Sequence, residues 1–132
     1  MTDPQPATRV QIVAVVDDDD AIRPAIARLI KTLGYQPRTF ANAETLLVAF
    51  SDLPLACVLT DIQMPGMNGH ALARELHRRN PDLPIVLMTA YPGLASRELA
   101  PVGGTLEYMT KPLDDERLEA WLRRTVGEPP PY

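Results

Sequence analysis

The stretch Ile12-Val13-Ala14-Val15-Val16-Asp17-Asp18-Asp19-Asp20-Ala21-Ile22-Arg23-Pro24 joins a continuous apolar run to four consecutive carboxylates. A short run with no polar alternation is the signature of a strand covered on both faces, as in a parallel sheet with helices on either side. Behind it, Ile22, Ile26, Leu29, Ile30 and Leu33 recur at helical spacing, Pro24 falls in the tolerated first turn, and Gly34 marks the end. Strand, acidic turn and helix thus form one unit, and the question is what the repulsion among the aspartates is for.

The unit repeats along the chain. Tyr35 to Phe40 reads as a second strand, followed by a helix capped by Asn42 and running to about Phe50. Leu55 to Thr60 is again an apolar run closed by an aspartate, Asp61. Asn68 to Arg79 forms a helix with Leu72 and Leu76 inward, and Ile85 to Met88 is the fourth strand. Leu106 to Met109 is a shorter fifth strand, and a helix from about Asp114 carries Leu118, Trp121, Leu122 and Thr125 on one face. Five rounds of strand and helix predict an α/β fold: a doubly wound five-stranded parallel sheet joined by right-handed crossovers, with helices on both faces. Between the fourth and fifth strands, Pro92-Gly93 and Pro101 with Gly103-Gly104 leave room only for a short or irregular fourth helix.

Composition narrows the function. A chain of 132 residues with 45% apolar content suits one domain, read as a flexible lead (1–10), a folded unit (11–126) and a proline-rich tail (127–132). The net charge of -4, without a basic stripe, argues against direct contact with nucleic acid. No apolar run approaches a membrane span and the start lacks a secretory leader, so a cytoplasmic protein is expected. Cys57, inside an apolar run, reads as a buried thiol.

In open parallel sheets, ligands bind beyond the carboxyl ends of the strands. Those ends carry Asp17 and Asp18, Asp61, Thr89 and Lys111. Three carboxylates meeting in one pocket call for a cation, and an all-oxygen, partly hydrated site suits Mg²⁺ or Mn²⁺. The repulsion lowers the stability of the metal-free domain and is relieved on binding. A carboxylate is also a nucleophile for phosphoryl transfer. Metal, the Lys111 ammonium, the Thr89 hydroxyl and backbone N–H groups after Asp61 supply the compensation such a transfer needs.

Four segments, VVDDDDAIR, LTDIQMPGMNG, PIVLMTA and YMTKP, resemble in order the receiver domain of two-component response regulators. The resemblance implies a flavodoxin-like sheet with strand order 2-1-3-4-5. It further implies that Asp61 accepts a phosphoryl group from a sensor histidine kinase or a phosphotransfer protein. Asp17, Asp18, Asp61 and the backbone carbonyl of Gln63 would hold the metal, with Asp17 acting mostly through water. Thr89 and Tyr108 would form the switch, Lys111 would pair with Asp61, and Gln63 and Tyr91 would tune dephosphorylation. A cis Lys111-Pro112 peptide is implied as well. Such a domain is a signalling element rather than an enzyme, acting on a downstream protein target as a monomer or weak dimer. The alternative is a receiver-like interaction module that works without phosphorylation; it would be expected to have lost one of the five residues, and none is lost. A phosphohydrolase with an Asp-x-Asp signature would need aspartate at Gln63.

Other polar and sulfur-bearing residues have simpler roles in this reading. Asp19 or Asp20 caps the first helix, His70 and His77 lie at the surface or are partly packed, and Met64, Met67, Met88 and Met109 fill space.

Overall fold

The computed structural model describes residues 11–90 and 106–129. Among them, β1 (Ile12–Val16), β2 (Gln36–Phe40), β3 (Leu55–Asp61), β4 (Ile85–Thr89) and β5 (Leu106–Thr110) form one sheet in the order β2-β1-β3-β4-β5. Every neighbouring pair is parallel. The described helices are α1 (Ile22–Thr32), α2 (Ala43–Ala49), α3 (Gly69–Arg79) and α4 (Asp115–Thr125). The N-terminal lead, the expected short helix between β4 and β5, and the end of the proline-rich tail lie outside the described residues.

Alternation along the strands splits the core in two. Ala14, Val16, Val58, Ile85 and Leu87 face one way, onto Leu46 of α2 and Leu72 and Leu76 of α3. Val13, Val15, Cys57, Leu59, Val86 and Met88 face the other, onto Ile26 and Ile30 of α1 and Leu118, Trp121 and Leu122 of α4. All five residues of β1 and of β4 are buried, which is why these strands read as unbroken apolar runs. β2 carries Pro37, and its place at the sheet edge is what allows a residue without an N–H. Burial leaves the Cys57 thiol fully enclosed and pushes its pKa up, so it stays protonated and inert.

The helix ends follow their local chemistry. Asn42 accepts from the Thr45 N–H at 2.8 Å and Asn68 from the Ala71 N–H at 2.9 Å. At the far end of the sheet, the segment after α4 is tied down. Tyr35 donates its hydroxyl to the Gly127 carbonyl at 2.7 Å and the Gln11 amide donates to the Val126 carbonyl at 3.2 Å. Gly34, at φ +102°, ends α1 in a left-handed conformation, as its position predicted.

One glycine is set by space. A Cβ on Gly69 would lie 2.4 Å from the Asp61 carbonyl oxygen and 2.8 Å from the Ile62 Cα, both backbone atoms without rotamers to yield. Its N–H donates to the Ile62 carbonyl at 2.8 Å, so α3 starts directly against the peptide that carries Asp61. Gly69→Ala is expected to lower the unfolding free energy by about 1–3 kcal/mol, the usual cost of forced overpacking. The check is the urea midpoint, and an unchanged midpoint would show that α3 can shift without cost.

Candidate functional site

Parallel pairing places the ends of β1, β3, β4 and β5 side by side, and the residues found there are the ones singled out from the sequence. Asp17 follows β1 and is fully buried, Asp61 is the last residue of β3, Thr89 the last of β4, and Lys111 follows β5. Lys111 spans the gap. Its ammonium lies 2.8 Å from Asp17 Oδ2 and 3.2 Å from Asp61 Oδ1, with only 15% of the side chain exposed. The shorter of these contacts is to Asp17, a pairing that the sequence alone did not suggest. The backbone N–H of Lys111 also donates to the Thr89 carbonyl at 2.9 Å, so the same residue ties β5 to β4.

The four-aspartate run divides its tasks. Asp17 Oδ1 accepts from the Asp19 N–H at 2.9 Å. Asp19 accepts from the Ala21 and Ile22 N–H groups at 2.8 and 2.9 Å and so caps the start of α1. Those two bonds, that to Ile22 foremost, hold its carboxyl below the usual range. Asp20 pairs with Arg23 at 2.7 Å on the surface. Asp18 is exposed and, among the described residues, makes no hydrogen bond or ion pair.

Asp17, Asp18 and Asp61 each bring a carboxylate oxygen within 4.8 Å of the others. Among the described residues of the pocket, three carboxylates against one ammonium leave two negative charges uncompensated. Burial, with Asp17 and Asp18 adding to it and Lys111 opposing it, raises the Asp61 pKa above its ordinary value. Burial by itself would lower the Lys111 pKa, but its bonds to Asp17 and Asp61 outweigh that and raise it. The pocket therefore lacks the charge of a single divalent cation, and its hard oxygen donors fit Mg²⁺ or Mn²⁺.

The remaining expected residues fall around this centre. Gln63 is exposed just past β3, and Tyr91 lies outside the described residues. The Lys111-Pro112 peptide is cis. Tyr108, partly buried on β5, packs on the α2–α3 side of the core, and its hydroxyl is enclosed without a hydrogen-bond partner among the described residues. Its ring meets the His70 ring edge to face, with centroids 6.5 Å apart. Expected at the surface or partly packed, His70 and His77 are in fact buried, each 6% exposed. The inward face of α3 takes in both, and His77 Nε2 donates to the Leu83 carbonyl at 2.8 Å. Met64, Met88 and Met109 are buried and Met67 packs at the core margin, as expected.

Glu44 carries a role that the sequence did not suggest. From α2 it accepts from the Met67 N–H at 3.1 Å and braces the turn after Asp61, where Gly66 adopts φ +76°. Only the turn itself was visible beforehand, through the Met-Pro-Gly signal.

The model of the response regulator receiver domain family matches residues 13–123. The chain belongs to this family. Among its relatives, the DNA-binding transcriptional regulator NtrC of Salmonella typhimurium is 36% identical over 116 residues, 88% of this chain and 25% of that protein. The transcriptional regulatory protein FixJ of Azorhizobium caulinodans is 32% identical over 115 residues, 87% of this chain and 54% of that protein. The receiver thus spans about a quarter of the first relative and about half of the second. Among solved structures, the response regulator TrrA of Thermotoga maritima in complex with Mg²⁺-BeF matches with a TM-score of 0.80 at 28% identity, over 89% of this chain and 100% of that one. The Pseudomonas fluorescens receiver domain of an HD domain-containing protein shares the fold, with a TM-score of 0.79 at 24% identity, over 89% and 95%. Among the described residues, no helix of this receiver is long and apolar enough to cross a membrane.

The raised pKa of Asp61 has a sign that can be checked. The folded receiver holds the Asp61 proton more tightly than the unfolded chain, so metal-free stability falls as pH rises from the ordinary carboxylate value of 3.8 through the folded value. Asp61→Asn removes that loss. At neutral pH without metal the variant is expected to melt above the wild type, with the gap closing below the ordinary carboxylate pKa; a lower melting temperature for the variant would show that the ion pair with Lys111 outweighs burial.

Proposed function

We propose that this receiver accepts a phosphoryl group on Asp61 from a sensor histidine kinase or a phosphotransfer protein and, once phosphorylated, changes its binding to a downstream protein target. The observation that carries this reading is the buried Asp17–Lys111–Asp61 bridge beside Asp18, with two negative charges left over.

In the transfer, an Asp61 carboxylate oxygen attacks the phosphorus of a phosphohistidine. The O–P bond forms as the P–N bond breaks, and the imidazole leaves with the electron pair and takes up a proton. Asp17, Asp18, Asp61 and the Gln63 backbone carbonyl would hold Mg²⁺ or Mn²⁺, which when bound supplies positive charge opposite the phosphoryl oxygens. Lys111 keeps its contact to Asp17 and turns a proton to a phosphoryl oxygen, and Thr89 donates its hydroxyl to another. Tyr108 follows Thr89 by changing its packing against the core. Its hydroxyl is enclosed without a partner among the described residues, a cost of about 1–3 kcal/mol that an arrangement reaching a partner would relieve. Exposed Gln63 reaches the water that later hydrolyses the acyl phosphate, and shielding of the phosphorus is the role assigned to Tyr91 from its place two residues after Thr89. The domain assists its own phosphorylation and dephosphorylation without turning over a separate substrate.

Access for the donor comes from one side. A cavity of about 530 Å³ lies next to the pocket, lined by Ile22, Ala25 and Leu29 of α1 and by Lys111, Pro112 and Leu113. Its apolar walls suit an amphipathic helix that carries the phosphohistidine. Residues 11–126 form the receiver unit in this reading, working in the cytoplasm as a monomer or weak dimer and without touching nucleic acid itself.

Intact mass after incubation with acetyl phosphate and Mg²⁺ tests the acceptor. Wild type is expected to gain one phosphoryl mass and Asp61→Asn none. Equal gain in both overturns the assignment of Asp61 as acceptor, and gain in neither leaves an interaction module that works without phosphorylation. Mg²⁺ is also expected to raise the melting temperature of wild type, since it binds the folded cluster better than the unfolded chain. Asp18→Ala should lose most of that rise while melting higher than wild type in its absence.

A further inference from the structure

Arg23 occupies the first turn of α1, outside the set of residues that meet at the strand ends. Its guanidinium is mostly enclosed, with 19% of the side chain exposed, and it works as a fork. One arm, Nη1, donates to the backbone carbonyl of Asp17 at 2.8 Å, and the other, Nη2, binds Asp20 Oδ1 at 2.7 Å. Its own N–H donates to the Asp19 carbonyl at 3.0 Å. With the Asp19 cap on Ala21 and Ile22 and the Asp19 N–H on Asp17 Oδ1, every member of the acidic turn is held except Asp18. Asp18 is the carboxylate of the pocket that has no counter-ion and no hydrogen bond among the described residues.

We propose that Arg23 is a positioning residue for the acidic pocket: by clamping the Asp17 carbonyl it fixes the peptide before Asp18, and by binding the Asp20 carboxylate it ties that peptide to the far end of the turn. This keeps the Asp18 carboxylate beside Asp17 and Asp61 against their mutual repulsion. The inference rests on the metal-binding reading above. It runs against simple electrostatics, because a cation so close to a metal pocket repels a second cation. If charge were all that mattered, removing Arg23 would tighten divalent binding. If position matters, removing it loosens binding. Lysine keeps the charge but cannot span both acceptors, since it lacks the planar fork.

Isothermal titration of Mg²⁺ into wild type, Arg23→Lys and Arg23→Ala, with the metal-free melting temperature of each, separates these roles. The dissociation constant is expected to rise about tenfold in both variants, the loss of roughly one charge-assisted hydrogen bond. Arg23→Lys should retain a melting temperature near that of wild type. Mg²⁺ binding unchanged in Arg23→Lys, or tighter in Arg23→Ala, overturns the proposal, as does a fall in melting temperature with binding unaffected. Wild type that fails to bind Mg²⁺ sinks the metal-binding reading and this inference with it, whereas wild-type binding matched by both variants sinks this inference alone.

Discussion

One ammonium shared by two buried carboxylates is the constraint around which this domain is organised. Asp17 has no solvent access, and a buried carboxylate without a cation beside it would carry a desolvation penalty of several kcal/mol. Lys111 meets that need from the far side of the sheet, reaching across β4 to Asp61 and Asp17. The reach is possible because the chain order interleaves: β1 and β3 are neighbours, and β4 separates β3 from β5. A sheet wound in simple sequence order would set β2 between β1 and β3 and break the bridge.

The bridge is also incomplete, which matters for function. A pocket neutralised by its own residues would gain nothing from a ligand. Here one cation faces three anions, so the folded state is left with a local charge that external cations relieve. Part of the stability of the domain is thereby made conditional on what the pocket holds.

Much of this architecture is legible in the residues alone. Apolar runs ending in aspartate, separated by helical periodicity, specify a sheet covered on both faces, and parallel topology then brings Asp17, Asp18, Asp61, Thr89 and Lys111 to one end whatever their separation in sequence. What escapes such a reading depends on contacts with no local signature. The preference of Lys111 for Asp17 follows from burial of Asp17, which periodicity does not reveal. The need for glycine at position 69 comes from the approach of α3 to the Asp61 peptide. His70 and His77, with no further nitrogen or sulfur ligand to accompany them, read only as surface or partly packed side chains. Their spacing with Ala73 at i, i+3 and i+7 put them on the inward stripe with Leu72 and Leu76, and that spacing was the signal to weigh. Choosing between Asp19 and Asp20 as the cap needed the backbone of the turn itself.

Helix α4 connects two unlike anchorages. It begins at Asp115, just after the cis Lys111-Pro112 peptide at the pocket, and its final turn runs into the Val126 and Gly127 carbonyls held by Gln11 and Tyr35. Eleven residues of helix make a rod about 16 Å long, seated on the sheet by Leu118, Trp121 and Leu122. A rod that starts beside the pocket and ends at the Tyr35 hydroxyl joins the two poles of the sheet in a single element. A change in how this helix is seated at one pole is therefore felt at the other, because a hydrogen-bonded helix does not shorten between them.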